Sequence, residues 1–331
     1  MFTVNQSGIA ILCCILTMVG WGSWANTQKL AGKERWPFEL YYWDYAIGVA
    51  LLGIVFCFTL GSIGSAGASA MTNLHTLTAG PALRAVTSGA LFNLANLLLV
   101  IAIDAAGMSL AFPVGIGLAL VIGTLESYFQ LPKGNPRLIA SGVLLIIFAM
   151  VMSALANRRI SRQQSTRTGR GLVFAIAAGC LMGFFYPQLM ASISPDFNSK
   201  PIQTGFLTPY TALLFFGIGV LASNLIINTI FMRSQGSTFA QYRAARPGLH
   251  WFGVLGGAIW MIALGLNVIA SGVAGPAVSY ALGQGATLVA ALWGVLVWRE
   301  FRGASAGTMA LVALMLAGYA GGLILIGAAI V

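Results

Sequence analysis

SGALFNLANLLLVIAIDAAGMSLAFPVGIG, residues 88–117, lies without a gap over GGAIWMIALGLNVIASGVAGPAVSYALGQG, residues 256–285, when the chain is slid along itself by 168 positions. Eleven of the 30 pairs are identical, including the four glycine pairs Gly89/Gly257, Gly107/Gly275, Gly115/Gly283 and Gly117/Gly285. Each copy reads as an apolar helix, a short break near Gly107 or Gly275, and the first half of a second helix. Shared composition would align some alanine and leucine, but rarely four glycines at fixed spacing. The stretch therefore reads as a duplicated membrane unit, a common construction in secondary transporters. The competing explanation is convergent use of small residues where membrane helices touch.

Working outward, the 331 residues are 58% hydrophobic and 7% charged, with a mean hydropathy of +0.88. A soluble domain carries about 25% charged residues, so this chain is read as an all-α, multi-pass membrane protein whose first partner is the lipid bilayer. The net charge of +10 is confined to a few loops and argues for a bilayer orientation signal, with no nucleic acid partner. Cys13, Cys14, Cys57 and Cys180 fall within apolar runs and read as small apolar residues. No basic residue precedes the first apolar run, which reads as a retained helix.

Ten apolar segments are long enough to be candidate transmembrane helices: about 8–26, 42–61, 84–103, 108–129, 138–155, 171–193, 206–231, 250–270, 274–298 and 305–330. Five precede the Arg-rich segment 157–170 and five follow it, so the repeats span 1–156 and 171–331. An odd number of crossings per half makes the repeat inverted. With the N-terminus outside, the inner loops hold thirteen Lys and Arg residues and the outer loops hold only Arg84, Lys133, Arg137 and Lys200. This favours both termini outside, in the inner (plasma) membrane of a cell. The Gly- and Ser-rich segment 61–81 reads as an outer loop or lid, and 194–203 as its counterpart.

Polar side chains within apolar helices face a cavity or another helix. Trp21 and Trp24 close the first helix, one turn apart. Their counterparts are Tyr186 and Gln188, either side of Pro187, which kinks or breaks its helix. Matching broken helices point to a transport site. Asn93, Asn96 and Asn267 add amides; Tyr280 and Gln284 stand four residues apart, and their repeat partners are Phe112 and Ile116. One half thus offers an aromatic and an amide where the other offers an aromatic and an aliphatic, which suits an asymmetric substrate. Asn224 and Asn228 read as helix-to-helix bonds. Glu126 follows 17 apolar or small residues, and desolvation there would favour its neutral form. It is the first proton-coupling candidate, and Asp44, flanked by tyrosines, is the second. Gly318 and Gly322 would pack a neighbouring helix or the second protomer of a homodimer.

An enzyme reading finds little. There are two histidines, His75 and His250, with no Cys or carboxylate at metal-ligand spacing, and no Lys is followed by Ser or Thr as a phosphate loop requires. No cofactor and no metal are expected.

Four stretches carry a resemblance: Gly20-Trp-Gly-Ser-Trp24, Tyr41-Tyr-Trp-Asp-Tyr45, Val121-Ile-Gly-Thr-Leu-Glu-Ser-Tyr-Phe129 and Trp293-Gly-Val-Leu-Val-Trp-Arg-Glu300. Their order and spacing, across both halves, resemble the ureide permease family of the drug/metabolite transporter superfamily. That resemblance implies ten helices in two inverted repeats and transport of allantoin, uracil and related neutral heterocycles with proton coupling. Two features depart from the family. The central loop is short and Arg-rich where plant members carry a nucleotide-binding-like motif, and Glu126-Ser127 stand where Leu-Asn is expected. The expected substrate is a small, neutral, polar molecule, since amides pair with amide edges and aromatic faces stack on a planar ring. A sugar would use the same groups, and a membrane protein of structural or receptor type without transport is the third reading.

Overall fold

The computed structural model describes residues 1–106, 108–160, 168–198 and 200–330, with the side chains of residues 104, 108–110, 112, 113 and 168 outside the description. Expectations that rest on Gly107, Phe112 or the centre of the Arg-rich loop therefore lie outside the described residues. In chain order the helices are α1 (Ser7–Ser23), α2 (Ala25–Lys33), α3 (Phe38–Phe58), α4 (Ala70–His75), α5 (Ala79–Ala106), α6 (Met108–Gln130) and α7 (Pro136–Ile160). Then come α8 (Thr168–Met190), α9 (Pro209–Ser234), α10 (Phe239–Ala244), α11 (Pro247–Ala274), α12 (Pro276–Gly283), α13 (Ala286–Leu292), one π-helical turn (Trp293–Val297) and α14 (Ala306–Ala328). Among the described residues the only extended pairing is an isolated bridge between Ile193 and Leu207.

Among those residues nine helices are long and apolar enough to cross a bilayer, and Val114–Gln130 of α6 forms a shorter apolar helix. Every backbone group in hydrocarbon must be satisfied within the chain, which is why each apolar run becomes a helix. Ends are set by local chemistry. The Thr208 hydroxyl accepts from the Thr211 amide, ahead of Pro209 in the first turn of α9, and Ser305 does the same for Thr308 at α14.

Three sequence expectations change. Segment 61–81 is not an unstructured loop: Ser69 caps α4, whose Asn73 donates to the Phe206 carbonyl at 3.0 Å and accepts from the Thr208 amide at 2.9 Å. Of the kink or break expected at Pro187, the break does not occur; α8 runs through it to Met190. Gly183, four residues earlier, is the position whose carbonyl loses its partner and would meet the proline ring. The segment read as helix 274–298 is interrupted: α12 stops at Gly283, Gln284 and Gly285 form a turn, and α13 resumes.

The chain forms two compact units, Met1–Asn93 with Gln188–Val273, and Leu94–Pro187 with Ala274–Val331. Each draws on both halves of the sequence. In unit 1 helices meet at glycines, because in lipid close backbone approach supplies the packing energy that hydrophobic burial supplies in water. Gly257 of α11 lies against Tyr45 and Val49 of α3, Gly89 of α5 against Phe216 and Val220 of α9, and Gly217 of α9 against Ala50 of α3. A Cβ at Gly20 of α1 would lie 2.7 Å from that of Ala263 on α11.

In unit 2, Gly142 of α7 faces Gly322 and Ile326 of α14, and Gly318 faces Leu145 and Ala149. The glycines that suggested a dimer face are thus used against α7 of the same chain. Gly179 of α8 lies against Gly115 of α6, where a Cβ would be 2.5 Å from the Gly115 carbonyl oxygen. Gly117 differs: among the described residues a Cβ there would meet only the Met150 sulfur, at 3.7 Å.

Candidate functional site

In unit 1 the end of α1 turns its aromatic side chains inward. The Trp21 indole stacks on Trp260 at 5.8 Å and donates to the Trp260 carbonyl at 3.2 Å. Trp260 also stacks on Phe92 at 4.1 Å and on Phe216 at 5.8 Å. Trp24 is half-buried, its ring 5.0 Å from that of Tyr45. The Asn93 amide donates to the Ser223 hydroxyl at 2.9 Å, and its buried carbonyl oxygen has no partner. Gln188, half-buried, donates to the Thr87 hydroxyl at 2.5 Å, and Asn267 is fully buried. Asn228 donates to the Glu39 carbonyl at 2.9 Å, which makes it a helix-to-helix bond, whereas the buried Asn224 amide has neither atom bonded.

In unit 2, α8 and α12 bring Tyr186 and Tyr280 together as a stacked pair, 4.9 Å apart at 27°. Tyr186 shares a hydrogen bond with the Ser279 hydroxyl at 3.0 Å, and the Tyr280 hydroxyl lies 3.3 Å from the Ala119 carbonyl oxygen. The Tyr280 ring occupies the space that Gly123 of α6 leaves, its hydroxyl 3.0 Å from where a Cβ would stand. Gln284 sits half-buried at the C-terminal end of α12, one turn after Tyr280. Asn96 is buried in the same unit. Glu126 is half-buried in the last turns of α6, and its carboxylate accepts from Gln130 at 3.1 Å rather than standing isolated. The Phe112 side chain lies outside the described residues.

The densest polar cluster is one that spacing along the chain did not reveal. Asp44, in the second turn of α3, receives the Tyr242 phenol on Oδ1 at 2.5 Å, while Nδ1 of His250 lies 3.0 Å from both carboxylate oxygens. Tyr242 belongs to the short helix α10, whose start is fixed by a reciprocal cap between Thr238 and Gln241. Burial, and after it the neighbouring Asp44 carboxylate, pushes the Tyr242 phenol above its ordinary range, so it remains a donor. Around this core the same segment is tied down again. Ser237 donates to the Glu39 carboxylate at 2.5 Å, Arg246 pairs with Glu34, and Phe239 packs on Trp43 at 5.3 Å. Trp36 meets the edge of the His250 ring at 5.6 Å. A usable signal was Gly253 and Gly257, three and seven residues after His250, which turn that face of α11 onto Tyr41–Val49.

These features define a multi-pass, all-helical membrane protein with amides, phenols and indoles held in its interior, and no metal-binding cluster among the described residues. Residues 146–329, more than half of the chain, match the family described as ureide permease, and the chain belongs to that family. It is a permease and not an enzyme. Among curated proteins it is similar to ureide permease 1 of Arabidopsis thaliana, 22% identical with 96% of this chain and 95% of that one covered. Ureide permease 2 of the same plant is 24% identical, with 96% of each chain covered. A solved crystal structure matches with a TM-score of 0.63 at 18% identity, over 97% of this chain and 98% of that one, which supports the fold alone.

Proposed function

We propose that this chain imports ureides or nucleobases of the allantoin and uracil type by proton coupling and alternating access. In this reading it has ten transmembrane helices in two inverted five-helix repeats, spans 1–156 and 171–331 joined by 157–170, and keeps both termini outside the inner (plasma) membrane. The observation that carries the substrate class is the near full-length similarity to plant ureide permeases. Local chemistry agrees with it. In unit 2, Gln284 offers an amide edge beside the Tyr186–Tyr280 stack, and in unit 1 Asn93 has a carbonyl oxygen with no protein partner. Neutral planar heterocycles use such groups through amide pairing and stacking.

Two contacts support the inverted repeat. Phe92 and Trp260 are partners under the shift of 168 and stack directly on each other at 4.1 Å, as residues beside a two-fold axis do. Gly89 and Gly257, also partners, each press on one carbonyl oxygen and on the amide nitrogen four residues beyond it. The Lys and Arg asymmetry supports the orientation. An impermeant thiol reagent should fail to label a cysteine introduced at Gln164 in intact cells, and labelling there would reverse the topology.

Counterflow in proteoliposomes with labelled allantoin, uracil and hexoses tests the substrate. Exchange of the first two is expected. Exchange of hexoses alone would make the chain a sugar porter, and exchange of none would remove the transport reading. For coupling, the candidates are Glu126 and Asp44.

A further inference from the structure

We propose that Asp44 and His250 together form the proton-exchange site of this permease, with Tyr242 as the positioning residue. The proposal rests on the proton-coupled reading above and identifies where the proton is held.

Three observations carry it. First, the two groups differ in access to water: the His250 side chain is 25% exposed and that of Asp44 only 3%. The imidazole is therefore the exposed member of the pair, at the end of α11 that follows the exposed Arg243 and Arg246, and the carboxylate sits behind it. Second, the contact is through Nδ1, 3.0 Å from each oxygen of Asp44. Imidazole can gain a proton at one ring nitrogen and give one up at the other. A proton arriving from water at Nε2 is matched by one passing from Nδ1 to a carboxylate oxygen, so the ring ends neutral and Asp44 protonated. Release reverses both transfers and returns one proton to water. Third, the carboxylate is also the anchor of α10 through the Tyr242 phenol. Neutralising Asp44 weakens a charge-assisted hydrogen bond to an ordinary one, and this links the proton to the segment between α9 and α11.

The charged surroundings leave this pair as the central exchangeable group. On α3, Tyr41 and Tyr45 are buried phenols and Glu39 is bonded to Ser237 of the α9–α10 connection. Just after α2 and just before α11, Glu34 and Arg246 pair with each other. The remaining cations nearby in sequence, Lys29, Lys33 and Arg35 beside α2, Arg233 at the end of α9 and Arg243 on α10, are all exposed. On the α11 side, Gly253 leaves no room for a methyl beside the Asp44 Cβ, so that backbone fixes where the carboxylate stands.

The test uses the full-length protein in liposomes, with whichever of allantoin or uracil wild type exchanges, and records counterflow and substrate-driven proton uptake together. His250→Asn, which keeps a nitrogen donor near the place of Nδ1 but cannot titrate, should retain counterflow and lose substrate-driven proton uptake to the protein-free level. Asp44→Asn should do the same. A second route needs no change at the pair. The chain has two histidines, so in a His75→Gln background diethyl pyrocarbonate acts on His250 alone among histidines. It should abolish proton uptake and spare exchange, with hydroxylamine restoring uptake. Wild-type proton-to-substrate ratios in His250→Asn, or after modification, overturn the proposal. Counterflow by wild type with no proton uptake overturns it too and leaves the transport reading standing. Absence of counterflow by wild type removes the substrate reading instead.

Discussion

The two copies of the duplicated stretch begin alike and end differently. At their start, Gly89 and Gly257 act in the same way. Each lets one helix lie directly on the backbone of another, α5 on α9 and α11 on α3. Toward their end the copies part. α6 runs unbroken through Ile116 and Gly117 to Gln130, whereas the equivalent residues Gln284 and Gly285 form the turn between α12 and α13. The second copy also opens α12 at Gly275 with φ of 82°, a conformation glycine adopts without strain. The two stretches share the glycine where two backbones touch and differ in the later segment. At the break the Gln284 and Gly285 amides keep turn-type bonds, to the Tyr280 and Leu282 carbonyls, and the polar side chain of Gln284 stands at the end of α12. In many secondary transporters substrate sites are formed by discontinuous helices.

The largest expected effect tests the shared half of that comparison. Gly257→Leu and Gly89→Leu should each prevent recovery of folded protein, because the added Cβ would overlap a helix carbonyl that cannot move without its helix. Overpacking of a side-chain core costs typically about 1–3 kcal/mol, and backbone overlap more. Monodispersity and the thermal midpoint in detergent would record it. If one variant folds with a wild-type midpoint and the other does not, the glycines are not equivalent and the two-fold relation loses one of its supporting contacts.

A smaller effect tests the half that differs. Gln284→Ala should leave the fold intact and weaken substrate binding by roughly 2- to 13-fold, the equivalent of about 0.5–1.5 kcal/mol for one net hydrogen bond. Its repeat partner provides the control: Ile116→Ala, in an unbroken helix, should leave affinity unchanged. Equal affinity losses in both variants would mean that the break in α12 has no part in binding.

Much of this architecture was legible in the chain because hydrocarbon permits few solutions. The nine membrane-length helices among the described residues follow from apolar length. What stayed hidden has a physical reason in each case. Asp44 and His250 are 206 residues apart, and nothing in the periodicity of α11 says which face His250 takes, since lipid and protein interior are both apolar. At Pro187 the missing amide allows either a kink or a break, and local sequence does not say which; α8 continues through it to Met190. The small helix α4 is six residues held by Ser69 and by Asn73 bonds to residues more than 130 positions away, a stabilisation that local composition cannot display.

The smallest expected effect concerns the glycine that spacing alone misjudged. Gly115-Ile-Gly117 and Gly283-Gln-Gly285 match in the repeat, which suggests close packing at every one of those glycines. The structure separates them. Gly115 packs against Leu99 of α5 and the backbone of α8, while at Gly117 the nearest atom to an added methyl, among the described residues, is the Met150 sulfur at 3.7 Å, an ordinary contact with a flexible side chain. Gly117→Ala should therefore fold and transport as wild type. Replacing glycine by alanine inside a helix removes backbone freedom from the unfolded chain, so any change in midpoint should be upward and worth no more than about 0.5–1 kcal/mol. A clear fall in midpoint would mean that α6 lies closer to its neighbours than the Met150 contact indicates. A wild-type midpoint with lost transport would be more informative, because it would give Gly117, like Gln284 beside its partner, a role in the moving protein that packing does not require.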